Sequence, residues 1–185
     1  MRRITPVALL ALGCLAAQAV EYKQIVSEKS ALAFVYKQMN VPMEGSFKRF
    51  KSQIAFDPAK PAAASAQFEI DLASIDTGSA EGDEEVAGKL WFNTKAFPTA
   101  KFVSSAIKPL GNNRFEVAGA LTIKGRTQNV VAPATYKAEG AQGVFEGALT
   151  IRRADFGIGE GVWADFGTVA NDVQIKFRLL AAAGK

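Results

Sequence analysis

The chain has 185 residues, a formal net charge of +4 at pH 7, a single cysteine and no histidine. That length supports one domain with a sizeable core, and the charge is too small and too evenly scattered for a nucleic-acid surface. Without an imidazole there is no Ser-His-Asp arrangement and no histidine base, and one cysteine builds no soft-metal site.

Arg2 and Arg3 precede an apolar run from Val7 to Ala17, which closes on Ala17-Gln18-Ala19. A basic start, an apolar run too short to cross a bilayer and an A-x-A ending describe a secretory signal peptide. Residues 1–19 are therefore expected to be cleaved, leaving residues 20–185 as one exported domain. The rival is lipidation of Cys14, but Ala11-Leu12-Gly13 lacks the usual leucine three positions ahead of the cysteine. Cleavage removes the only cysteine. It also takes Arg2 and Arg3 from the 22 basic residues, leaving a surplus of two over the 18 acidic ones. Such a domain is held by its core rather than by disulfides. No later segment reaches the apolar length of a membrane helix.

From residue 50 onward, apolar residues recur with period two. Phe50, Ser52, Ile54 and Phe56 share a face, as do Phe68, Ile70 and Leu72. The pattern returns in Phe115, Val117, Gly119, Leu121 and Ile123, then in Phe145, Gly147, Leu149 and Ile151. It is clearest in Val173, Ile175, Phe177 and Leu179, which alternate with Gln174, Lys176 and Arg178. Each run reads as a strand with one buried and one wet face. Asp57-Pro58, the stretch Pro109 to Asn113, Lys124-Gly125 and Glu139-Gly140 supply turns between them. Closely connected antiparallel strands imply a sandwich or a barrel, and closure removes exposed edges. The expected fold is all-β: a single antiparallel barrel of about eight strands.

Ser74 to Phe102 breaks the alternation. It opens on Asp76-Thr77-Gly78-Ser79, carries the acids Glu81, Asp83, Glu84 and Glu85, and ends among Leu90, Trp91, Phe92, Phe97 and Phe102. So long an irregular connection is functional or disordered, and its aromatics argue for order. It reads as a lid, a short helix and loop, with Asp83-Glu84-Glu85 in the first turn of a helix running through Leu90. Asp71, Ser74, Asp76 and Thr77 fit a strand end with Asx and Ser/Thr turns better than a carboxylate site. Lys48, Arg49 and Lys51 fit a solvated face; the functional alternative is a basic rim that meets an anionic head group or a membrane surface. Gly157, Gly159 and Gly161 lack the context of a dinucleotide fingerprint and are read as permitting a sharp bend at the barrel mouth.

Four motifs then carry a resemblance. Ser74-Ile75-Asp76-Thr77-Gly78, Trp91-Phe92 with Phe97-Pro98-Thr99-Ala100-Lys101-Phe102-Val103-Ser104-Ser105, Gly119 to Thr127, and Arg153-Ala154-Asp155-Phe156-Gly157-Ile158-Gly159 follow in the order and spacing of the YceI family. The chain resembles that family across essentially the whole of residues 20–185. The resemblance implies a lipocalin-like barrel in the periplasm that encloses a long-chain polyisoprenoid or a polyprenyl quinone. Many members carry an early histidine followed by Met-Gly-Val; here Gln38-Met39-Asn40-Val41 stands in its place, so a head-group role of that histidine does not carry over. Trp163-Ala164-Asp165 resembles the branch that lacks it.

The expected function is a non-enzymatic periplasmic carrier of such a lipid. The alternatives are an enzyme acting on an isoprenoid lipid, and a stress-related interaction protein with a filled core. The interior and lid residues expected to meet the ligand are Phe34, Phe47, Phe50, Ile54, Phe68, Ile70, Leu90, Trp91, Phe92, Phe97, Phe102, Leu121, Ile123, Phe156 and Trp163. No catalytic residue, metal or cofactor is expected beyond the bound lipid, and no nucleic acid. Transient membrane contact and a homodimer are both compatible with the resemblance.

Overall fold

The computed structural model describes residues 20–184; the expected signal peptide and Cys14 lie outside the described residues. The strands are β1 (Tyr22–Ile25), β2 (Ala31–Gln38), β3 (Val41–Phe47), β4 (Phe50–Ala55), β5 (Ser65–Asp71), β6 (Ile75–Asp76), β7 (Thr99–Gly111), β8 (Arg114–Ile123), β9 (Arg126–Glu139), β10 (Gln142–Arg152) and β11 (Asp172–Ala183). One α-helix, α1 (Ala80–Ala87), lies between β6 and β7. Three hairpins turn on residue pairs in the left-handed region: Met39-Asn40, Asn112-Asn113 and Lys124-Gly125. Such mirror-image turns match the right-handed twist of the strands they join.

The strands form one antiparallel sheet in the order β4-β5-β7-β8-β9-β10-β11-β2-β3-β6, curled into a half-barrel. Eleven strands replace the eight expected, and the continuous barrel ladder is absent. The physical reason lies in the shortest elements. β6 has two residues and β1 four, too few for a period of two to show in the sequence. Yet β1 draws the two sides of the curl together. It pairs with β11, while the Tyr22 N–H donates to the Phe56 carbonyl at 2.8 Å and the Phe56 N–H to the Tyr22 carbonyl at 3.0 Å.

The inward faces are those that the alternation marks. They form a continuous apolar core, with Leu72 and Phe156 each only 1 % exposed. Beneath β1 the rings of Tyr22, Phe56, Phe115, Tyr136 and Phe145 pack against one another, the closest pair, Phe56 and Phe145, at 4.9 Å between centroids. Burial and the neighbouring Tyr22 hydroxyl, 3.1 Å away, push the Tyr136 phenol above its usual range. Elsewhere three large rings lie over glycines of the wall: Phe34 over Gly45, Phe102 over Gly119 and Phe177 over Gly147. Without a Cβ beneath them these rings lean on the sheet, which leaves the middle of the curl open.

The lid is a helix, with different limits from those expected. Ser79 caps it by accepting from the Gly82 N–H at 3.1 Å, and Glu81 and Asp83 occupy the first turn. Asp83 also accepts from the Thr77 N–H at 2.7 Å and the Thr77 hydroxyl at 2.8 Å. The cap therefore starts the helix ahead of Asp83. It stops at Ala87 rather than Leu90, because Gly88 follows and the N–H groups of Phe92 and Thr94 turn back onto the carbonyls of Val86 and Ala87.

Candidate functional site

The curled sheet and the lid enclose a cavity of about 590 Å³. Among the residues expected to meet a ligand, Phe34, Phe47, Phe50, Ile54, Phe68, Ile70, Phe102, Leu121 and Ile123 line it from the strands. Trp91 and Phe92 line it from the lid, and Trp163 from the loop before β11. The structure places the other three outside the lining. Leu90, 38 % exposed as a residue, lends its carbonyl to the N–H groups of Gly159 and Glu160, while its side chain lies against Gly161. Phe97 packs on Gly125 in the β8–β9 turn. Phe156 is sealed inside the 3₁₀ turn Arg153–Phe156 and serves as packing. All three sit in stretches without a period, where the sequence offers no face to assign.

The lining also holds residues not singled out from the sequence. Phe115, Val117, Leu149, Ile175 and Phe177 face inward as their alternation requires. Ile107 does not follow its strand's alternation. A register shift between Ser104 and Ala106 in β7 moves it onto the face of Phe102. Tyr36 and Gln38 continue the row of Phe34 on β2, and the Gln38 backbone bridges to Val169.

The polar members of the lining are few, and they gather mainly around the lid. Glu85 of α1 accepts from the Trp163 indole N–H at 2.7 Å, which ties the lid to the 3₁₀ turn Gly161–Trp163. The Trp163 ring meets Trp91 at 5.5 Å between centroids. Beneath them lies Arg153, 1 % exposed. Its Nε donates to the Ala170 carbonyl at 3.1 Å, and its Nη1 to those of Ile158 and Gly159 at 2.8 Å each. Its Nη2 donates to the carbonyls of Trp163 at 2.7 Å and Val169 at 2.8 Å. The guanidinium also lies 5.5 Å from the Trp91 ring centre and 5.2 Å from that of Phe166. Burial lowers its pKa, and a guanidinium still keeps its proton. The loop that wraps it uses Gly157, Gly159 and Gly161, all with φ between +62° and +74°, as the sharp bend that their spacing suggests.

Two basic side chains at this end form ion pairs, and a third only faces an acid across the sheet. Lys48 meets Asp76 at 2.8 Å, Arg49 meets Asp71 at 2.8 Å, and Lys51 stands opposite Glu69. Asp71 and Asp76 also accept from the N–H groups of Ala73 and Gly78, the Asx turns expected of them. Among the described residues no cluster of His, Cys, Asp or Glu is suited to a metal, and no helix is long and apolar enough to cross a membrane.

Glu160 is held by Lys124 at 3.0 Å and Arg126 at 3.2 Å, and hydrogen bonding to Lys124 lowers its pKa below the ordinary value of 4.5. A depressed carboxyl stabilises the fold above its unfolded value and loses that contribution as pH falls through the folded one. Glu160→Gln is therefore expected to flatten the loss of stability below about pH 4.5, measured by denaturant unfolding across acidic pH. An acid limb identical to that of the parent protein would rule out this pairing.

Comparison with known proteins agrees with the geometry. The family model described as a YceI-like domain matches residues 24–181. A UPF0312 protein of Pseudomonas savastanoi pv. phaseolicola is 34% identical over 164 residues, covering 82% of this chain and 85% of the relative. A UPF0312 protein of Azotobacter vinelandii is 30% identical over 181 residues, covering 91% and 92%. Among solved structures, Burkholderia cenocepacia BcnA superposes with a TM-score of 0.84 at 50% identity, over 86% of this chain and 100% of that one. A polyisoprenoid binding domain from Saccharophagus degradans shares the fold, with a TM-score of 0.70 at 18% identity over 89% of this chain and 99% of that one. With its motifs, its curled sheet and a family model spanning nearly every described residue, the chain belongs to the YceI-like family.

Proposed function

We propose that this protein is a non-enzymatic carrier that holds a long-chain polyisoprenoid or polyprenyl quinone inside the curled sheet, in the periplasm after removal of residues 1–19. The observation that carries the reading is the apolar cavity of about 590 Å³ under the lid. Its size lies within the usual range of ligand pockets, and aromatic walls with a few polar groups are their usual lining. The open interior also argues against a filled core. The polyisoprenoid-binding domain of similar fold from Saccharophagus degradans supports the choice of ligand class. Val162, Met39 and Phe166 are exposed, and Met39 and Phe166 border the loop around Arg153, where they would meet a membrane during loading.

Energetics select the length of the ligand. A buried methylene contributes about 0.8 kcal/mol, and association costs roughly 4–15 kcal/mol, so break-even requires roughly 5 to 19 carbons. Affinity is thus expected to rise steeply along a series of prenols of increasing length, measured by titration of the purified protein. A flat series would contradict the reading.

A further inference from the structure

Three charged residues line the cavity: Arg153 in the wall, and Glu81 and Glu85 on the lid. Arg153 has nothing to offer a ligand. It is 1 % exposed, and all five of its N–H donors go to backbone carbonyls. An anion could reach the guanidinium only by displacing one of those carbonyls. Among the described residues no other base lines the cavity. Lys48, whose pKa is raised by its bond to Asp76 and by the charge of Asp83, is already held by Asp76 at 2.8 Å. The N-terminus of α1, the other place that draws anions, carries the Ser79 cap and the acids Glu81 and Asp83.

The two glutamates differ from Arg153 in both respects. Each is exposed, and neither forms an ion pair among the described residues. They stand four residues apart on α1 and so share one face of the helix. The Glu85 carboxylate is fixed at the cavity edge, because the Trp163 indole that donates to it at 2.7 Å is itself part of the lining. Gln38, another exposed lining residue, bridges through its backbone to Val169, in the loop that follows Trp163. The accessible polar mouth of the cavity therefore lies at the lid, and its unpaired charge is negative.

We infer that the lid selects lipids by head-group charge: Glu81 and Glu85 admit an uncharged oxygen head, a hydroxyl or a quinone, and repel a phosphate. The inference rests on the lipid-carrier reading and narrows it to uncharged prenyl lipids. Repulsion beside an apolar cavity is screened less than in open water, so two unpaired carboxylates at the mouth weigh heavily against a further anion.

The test titrates a prenyl alcohol and a prenyl phosphate of the same chain length at low ionic strength. The parent protein is expected to bind the alcohol at least about tenfold tighter than the phosphate. The double variant Glu81→Gln, Glu85→Gln should narrow that ratio about fivefold or more by strengthening phosphate binding, with the alcohol unchanged within about twofold. Both sites are exposed, and Glu85→Gln keeps an amide oxygen for the Trp163 N–H, so the lid stays tied. A salt titration of the parent protein needs no variant: added salt should improve phosphate binding relative to the alcohol. Phosphate bound as tightly as the alcohol, or tighter, overturns the charge-selection inference and leaves the carrier reading standing. A preference for the alcohol that survives undiminished in the double variant, or that ignores salt, also overturns it, since the apolar lining alone would then reject the phosphate. If neither probe binds, the carrier reading falls and this inference falls with it.

Discussion

Arg153→Met is expected to destabilise the protein by about 3–5 kcal/mol, the cost typical of disrupting a buried charged network. The substitution keeps a long side chain but removes every donor. Carbonyls of Ile158, Gly159, Trp163, Val169 and Ala170 then lose their partner at once. A buried acceptor left unmet costs about 1–3 kcal/mol. Relaxation of the loop toward water keeps the total below the sum of five such losses. Arg153→Lys is expected to restore less than half of the loss. An ammonium donates from a single point, whereas the five carbonyls surround a planar fork. Denaturant unfolding measures both, through the midpoint and slope. The loop from Gly157 to Ala170 should also become open to proteolysis before the strands do. A loss below about 1 kcal/mol in Arg153→Met would show that the loop holds without its central cation.

The second large effect concerns the cavity. Ala132 of β9 stands opposite Val117 of β8, and both line the open interior. Ala132→Phe is expected to weaken binding of a long prenyl lipid by roughly 50-fold, because displacing as few as three ligand methylenes forfeits about 2.4 kcal/mol. In an ordinary core such an enlargement costs about 1–3 kcal/mol through overpacking. Here the ring enters empty space, so stability should stay within about 1 kcal/mol of the parent protein. The two readouts separate a carrier from a filled core. Unchanged lipid affinity in a folded variant would place the ligand elsewhere, and severe destabilisation would show the interior to be packed.

Much of this arrangement is legible in the sequence, and the exceptions have local physical causes. The strands that alternate over five or more positions, such as Phe115 to Ile123 and Val173 to Leu179, present to the cavity the faces that their pattern assigns. Ile107 is hidden because the register shift in β7 inverts the parity of its strand. β1 is hidden because four residues cannot display a period, although its bridge from Tyr22 to Phe56 draws the curl together. Leu90, Phe97 and Phe156 lie in turns where size and hydrophobicity give no direction. Arg153 appears in the sequence only as part of the motif Arg153 to Gly159. A charged residue is ordinarily expected at the surface, and nothing local announces that carbonyls from Ile158 to Ala170 will surround it. The lid helix is legible in its acids, but its limits depend on Ser79 and Gly88, whose capping roles are set by the backbone around them.

The central claim is that the cavity under the lid holds a prenyl lipid. Native mass spectrometry of the protein purified from its own host, followed by solvent extraction of whatever it carries, tests that claim most directly. The carrier reading predicts a discrete added mass, released on extraction as an isoprenoid or prenyl quinone. A bare protein mass that stays unchanged after incubation with long prenols and quinones would contradict it.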